Sequence, residues 1–147
     1  MIWRRRRLNS KLSAKERQDF NDTIDETLLT SPGGRQYFAS IIDDNNYVVL
    51  VAEDRDKIIG YGAGHTRATE DYRKKDVILG QVETMWADDK YRGEGIGKEI
   101  VEKIEAALRG KGVNRIEVVA SAGNIKAIDF YKREGYEEYD LVLEKNL

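Results

Sequence analysis

Apolar residues in the middle of the chain fall in short runs that predict consecutive strands. Residues 47–52 (YVVLVA) form a continuous run, rich in β-branched side chains and of strand length. Residues 57–66 (KIIGYGAGHT) are expected to return as the second strand of a hairpin, because residues 54–57 provide a turn. Residues 77–87 present two alternating sets of side chains and predict a third strand.

The second half of the chain alternates between the helical and the extended pattern. Apolar positions from Ile96 to Leu108 recur at helical spacing after a glycine-rich stretch. Residues 113–121 then predict a strand, residues 124–134 a helix, and residues 140–144 (DLVLE) a last strand. This half therefore contributes two helices and two strands.

The beginning of the chain predicts mostly helix. A serine and a glutamate spaced as a capping box introduce a helix over residues 14–29. Proline and paired glycines at residues 32–34 are expected to end it, and a shorter helix should follow around residues 37–42. Residues 2–9 remain for a first strand, which their arginines confine to the edge of a sheet.

Together these elements predict an α+β protein with a mixed sheet, in a single domain over residues 1–147. Strands that follow one another directly pair antiparallel, whereas a strand reached through a helix lies parallel to the one before. The expected count is about six strands flanked by about four helices. The chain shows no internal repeat, low-complexity tract or interdomain linker.

Composition narrows the chemistry by exclusion. Hydrophobic residues make up 40% and charged residues 35% of the chain, and the formal net charge is -2, so nucleic acid is not an expected partner. Four arginines at residues 4–7 are interpreted as a solvated end or exposed strand rather than a polyanion-binding arm. With no cysteine and one histidine, neither a disulfide framework nor a cysteine or multi-histidine metal site is expected.

Hydropathy gives no sign of a membrane segment. No apolar run approaches the roughly 20 residues that cross a bilayer. The arginines that follow Trp3 are also unlike the apolar centre of a secretory signal. We therefore expect a cytoplasmic protein without a membrane partner.

Residues 91–97 (YRGEGIG) carry three glycines between a predicted strand and a predicted helix. Free backbone N–H groups and the positive end of the helix dipole make such a position suitable for an anion, and for phosphate in particular. The run is not a Walker A loop, because Arg92 and Glu99 occupy required positions. It is not a dinucleotide fingerprint either, because Lys98 stands where the third glycine belongs.

The run does match the pattern Arg-x-x-Gly-x-Gly at Arg92, Gly95 and Gly97. A second pattern, Asn-x-x-Ala-x-x-Phe-Tyr-x-x-x-Gly-aromatic, fits residues 124–136, and residues 82–88 (VETMWAD) have the form of the strand that precedes the glycines. In these motifs the chain resembles the GNAT superfamily, the GCN5-related N-acetyltransferases. The resemblance implies the acyl-CoA N-acyltransferase fold and acetyl-CoA as co-substrate.

The resemblance also implies a set of residues that hold acetyl-CoA. The glycine loop would receive the pyrophosphate, and the strand before it would pair with the pantetheine arm, which an asparagine would also bind. In this sequence the implied residues are Met85, Trp86, Ala87, Arg92, Gly93, Glu94, Gly95, Ile96, Gly97, Lys98, Asn124, Ala127, Phe130 and Tyr131.

Acetyl transfer further needs an acid and, for a protonated amine, a base. Tyr131 stands at the position of the family's usual general acid, and its alternative role is a packing tyrosine. Glu83 is the preferred base; it is expected on the same strand face as Met85, whose N–H would face the developing oxyanion. An exposed carboxylate in an ordinary ion pair is the alternative for Glu83. His65 is the second candidate base, and an amine that is already neutral would need none.

The sequence does not identify the acceptor of the acetyl group. We expect an amine on a small molecule or a protein, bound by the variable loops over residues 30–35 and 67–76. A homodimer is an open alternative to a monomer. A non-catalytic acyl-CoA-binding or regulatory module on the same fold is the main alternative function, because a fold does not guarantee activity.

Overall fold

The computed structural model describes the strand Ile2–Arg4 and residues 31–55, 57–69, 75 and 77–147. Its strands are β1 (Ile2–Arg4), β2 (Tyr47–Asp54), β3 (Lys57–Ala68), β4 (Ile78–Ala87) and β5 (Ile116–Val118). Its α-helices are α1 (Pro32–Asp43), α2 (Ile96–Gly110) and α3 (Ile125–Arg133), and a short 3-10 helix covers Asp89–Tyr91. The helix predicted over residues 14–29 lies outside the described residues.

The five strands form one mixed sheet in the order β1-β2-β3-β4-β5. Successive strands from β1 to β4 pair antiparallel, whereas β5, which follows the crossover helix α2, pairs parallel with β4. The predicted mixed α+β sheet is confirmed. The described residues contain five strands and three α-helices rather than about six and about four. β1 lies at an edge of the strand order, the position expected for a strand within residues 2–9.

Helix α1 begins earlier than the sequence pattern predicted. Its first residues are Pro32 and the two glycines that were expected to act only as a terminator. Pro32 tolerates this position because the first turn of a helix needs no N–H from it. Ser31 is the N-cap, and its hydroxyl accepts a hydrogen bond from the Gly34 N–H at 3.0 Å.

The strand predicted over residues 140–144 is not formed. No residue after Arg133 lies in a helix or strand, and Leu141, Val142 and Leu143 are 78%, 90% and 84% exposed. The run has strand-forming side chains, but β-propensity expresses packing on a pleated surface, and here no strand is paired with it. The prediction of a strand was therefore wrong, because the run has the side chains of a strand but does not pair with any of the described strands.

One face of the sheet is covered by α2. Ile96, Ile100, Ile104 and Leu108, one turn apart on the helix, are at most 2% exposed. Their partners on the sheet are apolar residues that point to this face: Val48, Ala52, Ile59 and Val82. This is the larger core, and it fixes the position of α2 over the strands.

Glycines on β3 let α2 approach the sheet closely. A Cβ atom added to Gly62 would lie 2.5 Å from Ile100 Cγ2, and one added to Gly64 would lie 2.7 Å from Ile104 Cγ2. Gly60 is similarly close to Ile96 and Ile100, at 3.0 Å. The helix therefore packs directly against the backbone of β3, which sets the distance between its N-terminus and strands β3 and β4.

The opposite face of the sheet carries α1. Ile41 of this helix packs with Val49 of β2 and Ala63 of β3, and Phe38, Ile42 and Tyr47 surround that cluster. Alternation along the strands assigns side chains to the two faces: on β3 the glycines face α2, whereas Tyr61, Ala63 and His65 face α1. The sheet therefore separates side chains that face α1 from those that face α2.

Filling the space under α2 should destabilise the protein. Gly62→Ala places a methyl group 2.5 Å from Ile100 Cγ2, so the core has to shift. Overpacking of this kind costs about 1–3 kcal/mol in free energy of unfolding, which denaturant titration measures. Gly110→Ala is the control, since its Cβ would meet no described atom within 4 Å. Equal stability of the two variants would contradict the close packing.

Candidate active site

Two glycines in the loop before α2 have backbone conformations that other residues rarely adopt. Gly93 has φ +83° and Gly95 has φ +78°, both in the left-handed region. A Cβ atom built on either would meet no heavy atom of the described residues within 4 Å. The path of the backbone therefore requires the glycines, and it leaves open space beside the loop.

Helix α2 begins without a side-chain cap. Gly95 is its N-cap, and the first intrahelical bond runs from the Glu99 N–H to the Gly95 carbonyl oxygen at 2.9 Å. The four N–H groups from Gly95 to Lys98 have no partner within the helix. Together with the positive end of the helix dipole they form a site suited to phosphate.

Two other amides of the predicted loop are used to close the turn. The Arg92 N–H donates to the Asp89 carbonyl oxygen, and the Glu94 N–H donates to the Tyr91 carbonyl oxygen, both at 3.3 Å. The Tyr91 hydroxyl in turn donates to Asp54 Oδ2 at 3.2 Å, which ties the loop to the end of β2. The Arg92 and Glu94 amides are therefore engaged within the turn, unlike the first-turn amides of α2.

Both cations of the loop lie at the surface in ion pairs. Arg92 Nη2 is 2.7 Å from Asp89 Oδ1, and Lys98 Nζ is 3.9 Å from Glu102 Oε1. These four side chains are all more than half exposed, so each pair contributes at most about 1 kcal/mol. Either cation can therefore exchange its carboxylate partner for a phosphate at a small cost in free energy.

Strand β4 is paired with β5 over only part of its length. The parallel pairing covers Gly80–Val82 and Ile116–Val118, while β4 continues to Ala87. A register shift in the pairing with β3 occurs at the same point, since Ala63 pairs with Thr84 and Gly64 with Val82. Glu83 is thus an extra residue in a β-bulge, and bulges bend and twist a strand. Beyond the bulge, none of the described strands pairs with this edge of β4.

The backbone groups of two β4 residues face the open edge. The Asp88 N–H donates to the Ile59 carbonyl oxygen of β3 at 2.8 Å. The carbonyl oxygens of Trp86 and Thr84 also point at β3, because they lie 3.1 and 3.4 Å from Cβ positions built on its glycines. Backbone groups alternate in direction along a strand, so the N–H groups of Met85 and Ala87 face away from β3.

The bulge also changes the face on which Glu83 lies. Val82, Met85 and Ala87 all pack against the α2 core. Glu83 instead contacts Tyr37 of α1 on the other face. The prediction that Glu83 and Met85 share a strand face was therefore wrong, because strict alternation fails where an extra residue is inserted.

On the α1 face, the carboxylate of Glu83 lies between groups from two other elements. The Tyr37 hydroxyl donates to Glu83 Oε1 at 2.5 Å, and His65 Nδ1 is 3.4 Å from Glu83 Oε2. The Tyr47 ring stacks on the His65 ring with centroids 4.8 Å apart. Burial, followed by the hydrogen bond to Glu83, raises the pKa of Tyr37, so its hydroxyl remains a donor.

The two candidate bases of the sequence are thus neighbours. Glu83 and His65 were weighed as separate alternatives, and the structure brings them into contact. Tyr37 and Tyr47 were not predicted as site residues. No local pattern marks them, because the contact of Tyr37 with Glu83 depends on how α1 packs on the sheet, and that of Tyr47 with His65 depends on how β2 pairs with β3. Trp86 is on the same face, where its ring stacks on Tyr61 with centroids 5.7 Å apart.

Helix α3 brings its aromatic residues to the start of α2. A Cβ atom built on Gly97 would lie 3.5 Å from Phe130 Cε2 and 3.9 Å from Met85 Cε. Residues of α2, α3 and β4 from the predicted set therefore meet at one place. Tyr131 is 8% exposed, and its ring is edge-on to Phe130, with centroids 5.1 Å apart.

The end of α3 is tied to the middle of α2. The Tyr136 hydroxyl donates to Glu105 Oε1 at 2.8 Å, and the Tyr136 ring is edge-on to Tyr131 with centroids 5.4 Å apart. Burial, followed by this hydrogen bond, raises the pKa of Tyr136. Ring contacts with Phe130 and with Tyr136 therefore hold the Tyr131 ring in position.

Asn124 caps α3. Its Oδ1 accepts a hydrogen bond from the Ala127 N–H at 3.2 Å, so both members of the predicted set lie in the first turn of this helix. The carbonyl end of the Asn124 side chain is thereby engaged. The amide nitrogen Nδ2 remains the group with which Asn124 could donate to a ligand.

Comparison with known proteins identifies the family to which this arrangement belongs. Residues 13–136 match the Acetyltransferase (GNAT) family. The chain belongs to the GNAT family. The resemblance seen in the glycine loop and the asparagine–tyrosine motif is thereby confirmed, and it supports acyl transfer as the general chemistry of this chain.

Individual relatives resemble the chain in sequence, and solved structures resemble it in fold. An uncharacterized N-acetyltransferase of Methanocaldococcus jannaschii is 28% identical over 108 residues, which cover 74% of this chain and 47% of that relative. The chain therefore spans about half of the relative's length. A mutant protein of Bacillus halodurans matches with TM-score 0.84, at 23% identity and 100% coverage of both chains.

A further structural match contains a ligand. It is the aminoglycoside N-acetyltransferase AAC(6')-Iy in complex with the bisubstrate analogue CoA-S-monomethyl-acetylneamine. The TM-score is 0.70 at 14% identity, over 90% of this chain and 86% of that one. At this identity the likeness shows the fold alone. Within the described part of the GNAT chain, no helix has the length and apolar character of a membrane span.

Substitutions at Asn124 can separate its cap from any role in binding. Asn124→Ala removes the oxygen that accepts from the Ala127 N–H and should cost about 0.5–2 kcal/mol of stability. Asn124→Asp keeps that acceptor but loses the Nδ2 donor, so stability should be retained while affinity for CoA falls. Thermal unfolding and calorimetry measure the two effects. Unchanged CoA affinity in Asn124→Asp would restrict Asn124 to the cap.

Proposed function

We propose that this protein is an N-acetyltransferase that moves an acetyl group from acetyl-CoA directly to a primary amine in a ternary complex. The observation that carries the proposal is the open edge of β4 beyond Val82, next to the uncapped N-terminus of α2. A backbone edge offers pairing groups for an extended amide-containing arm, and the helix terminus offers amides for its phosphate end.

The residues at the loop fit a pyrophosphate. The first-turn N–H groups of α2 would donate to its oxygens, and the left-handed conformations of Gly93 and Gly95 keep side chains out of the way. Arg92 and Lys98 would add positive charge from the rim of the site. In this proposal the amides bind the pyrophosphate oxygens, and the two cations leave their exposed carboxylate partners to add charge-assisted contacts.

The β4 edge fits an arm with amide groups. Met85 and Ala87 would donate and accept backbone hydrogen bonds along it, in the manner of an added strand. The N–H of one of them, Met85 in our proposal, would also donate to the carbonyl oxygen on which negative charge develops. A fixed backbone donor at that point stabilises the transition state without reorganising.

Tyr131 is the proposed general acid. A phenol with an ordinary pKa near 10 can protonate a departing thiolate, whose own pKa is about 8.5 by analogy with cysteine. Its burial and its contacts with Phe130 and Tyr136 hold the ring in place beside the convergence of α2, α3 and β4. This positioning supports a catalytic role for Tyr131.

Glu83 is the proposed base. An ordinary primary amine is almost wholly protonated at neutral pH and must lose a proton before it can attack. Glu83 lies on the α1 face, whereas Met85, two residues later, packs towards α2. The acceptor amine would therefore approach from the α1 face, and the two reactants would meet at the bulge of β4 from opposite sides.

Binding and turnover can be tested together. We expect calorimetric titration to show binding of acetyl-CoA and of desulfo-CoA but not of ATP. A thiol-release screen over small amines and amino-terminated peptides should then identify an acceptor. CoA binding without any acceptor would favour a non-catalytic acyl-CoA-binding module, and no CoA binding at all would overturn the proposal.

A negative charge at the start of α2 should abolish CoA binding. Gly95→Asp would place a carboxylate beside the first-turn amides, where it competes with phosphate and repels it. We expect CoA affinity to fall at least about a hundredfold, two decades being about 2.8 kcal/mol. Calorimetry measures this change.

The chain offers a matched control for that variant. Gly112 has φ +84° and equally open surroundings, but it follows the C-terminus of α2. Gly112→Asp introduces the same residue in the same conformation without charging the loop, so CoA affinity should be retained. An equal loss in both variants, or no loss in Gly95→Asp, would remove the loop from the binding site.

Removing the hydroxyl of Tyr131 should affect turnover and leave binding intact. Tyr131→Phe keeps the packed ring but cannot protonate the leaving thiolate, so kcat should fall about 100-fold or more. CoA affinity and thermal stability should change little, and steady-state kinetics with calorimetry separate the two. A kcat equal to that of the unmodified protein across pH would show that Tyr131 is a packing residue.

A further inference from the structure

The carboxylate of Glu83 is approached at both of its oxygens by groups from different elements. The Tyr37 hydroxyl of α1 donates to Oε1, and the His65 ring of β3 lies against Oε2. A carboxylate has about four lone-pair positions, so two contacts leave it able to accept from a substrate amine or water. The arrangement holds Glu83 in one orientation without saturating it.

His65 has an unusual environment for a histidine. Its Nδ1 is buried and, within the described part of the chain, has no aligned hydrogen bond. The nearest acceptor is Glu83 Oε2 at 3.4 Å, and stacking on Tyr47 restrains the ring. With the ring proton on Nε2, the lone pair of Nδ1 faces Oε2 and can accept a proton that Glu83 has taken up.

Within the described residues, a further charged pair lies close to His65 on β3. Arg67, two residues beyond His65 on β3, pairs with Glu117 of β5 at 2.6 Å, and the two charges offset each other. From α1 the Tyr37 hydroxyl reaches Glu83, and from β2 the Tyr47 ring stacks on His65.

We propose that Glu83 and His65 act as one proton-accepting unit, with Tyr37 and Tyr47 as positioning residues. The proposal deepens the N-acetyltransferase function and rests on it. The bond between nitrogen and hydrogen of the substrate ammonium breaks, and its proton passes to Glu83 and then to His65 Nδ1. The products are a neutral amine, a carboxylate and an imidazolium, so total charge is conserved. His65 then releases the proton on its other ring nitrogen, Nε2, to water, which restores the neutral imidazole.

Tyr37 and His65 have different parts in this unit. Tyr37 stays protonated because burial and its bond to Glu83 raise its pKa, and it therefore orients the carboxylate throughout the working pH range. His65 removes the proton from Glu83 before the next cycle, which an isolated exposed carboxylate would have to leave to solvent. Glu83 touches the substrate in this scheme, while Tyr37 acts only through it.

Because His65 is the sole histidine of the chain, its ring can be observed without ambiguity by NMR. In the unmodified protein and in Glu83→Gln, the imidazole signal is followed through pH 4–9 (about the range in which imidazole titrates). If the two residues share a proton, loss of the Glu83 charge should change the midpoint of the imidazole signal. Glu105→Gln, which removes a carboxylate on α2 across the sheet, should leave the midpoint unchanged.

Kinetics supply the second readout. Tyr37→Phe keeps the ring but removes the donor to Glu83 Oε1, so the carboxylate accepts a proton more readily and the acid limb of kcat/KM moves to higher pH. His65→Gln should lower kcat about tenfold or more with CoA affinity retained. The structural alternative, in which both residues only pack, predicts no movement of the acid limb.

The outcomes separate this proposal from the function on which it rests. If the imidazole titrates identically in the unmodified protein and Glu83→Gln, no proton is shared and the proposal falls, whatever the activity. If Glu83→Gln lowers turnover while Tyr37→Phe and His65→Gln do not, Glu83 is the base alone. If no amine is acetylated at all, the N-acetyltransferase function fails, although coupling between the two residues can still be measured.

Discussion

Strand β4 loses its parallel partner after Val82, and the candidate site is built on the backbone left unpaired there. The bulge at Glu83 coincides with this point and assigns the flanking side chains to opposite faces. Unpaired N–H groups of a strand are strong hydrogen-bonding groups that need a partner or water. Met85 and Ala87 thus offer a ready pairing edge on one side, while Glu83 presents a carboxylate on the other. Both the proposed cofactor arm and the proposed acceptor depend on this single irregularity.

The phosphate end of the site depends on how closely α2 packs on the sheet. Glycines on β3 allow Ile100 and Ile104 to rest on bare backbone, which places the start of the helix beside the end of β4. Left-handed glycines then lead the chain into the helix without a cap. Stability and function are therefore linked through the same helix: its buried face anchors it, and its first turn remains available for a ligand.

The sequence predicted the parts of this site that depend on local pattern. The loop over residues 91–97 and helix α2 follow from glycine spacing and apolar periodicity, which act within a few residues. The bulge at Glu83 could not be read, because an inserted residue looks like ordinary alternation until the partner strand is known. The cluster around Glu83 was also hidden, since Tyr37 and His65 come from elements far apart in the chain. The missing strand at 140–144 shows the same limit, because strand formation requires a paired edge.

Amide hydrogen exchange at β4, measured by NMR with and without saturating CoA, tests the central claim most directly. The backbone groups of Thr84 and Trp86 point at β3, so their amides should be protected from exchange in both states. These two amides provide an internal reference on the same strand. The account predicts that Met85 and Ala87 exchange faster without ligand and become at least about tenfold more protected when CoA binds. CoA binding that leaves the exchange of Met85 and Ala87 unchanged would contradict the account.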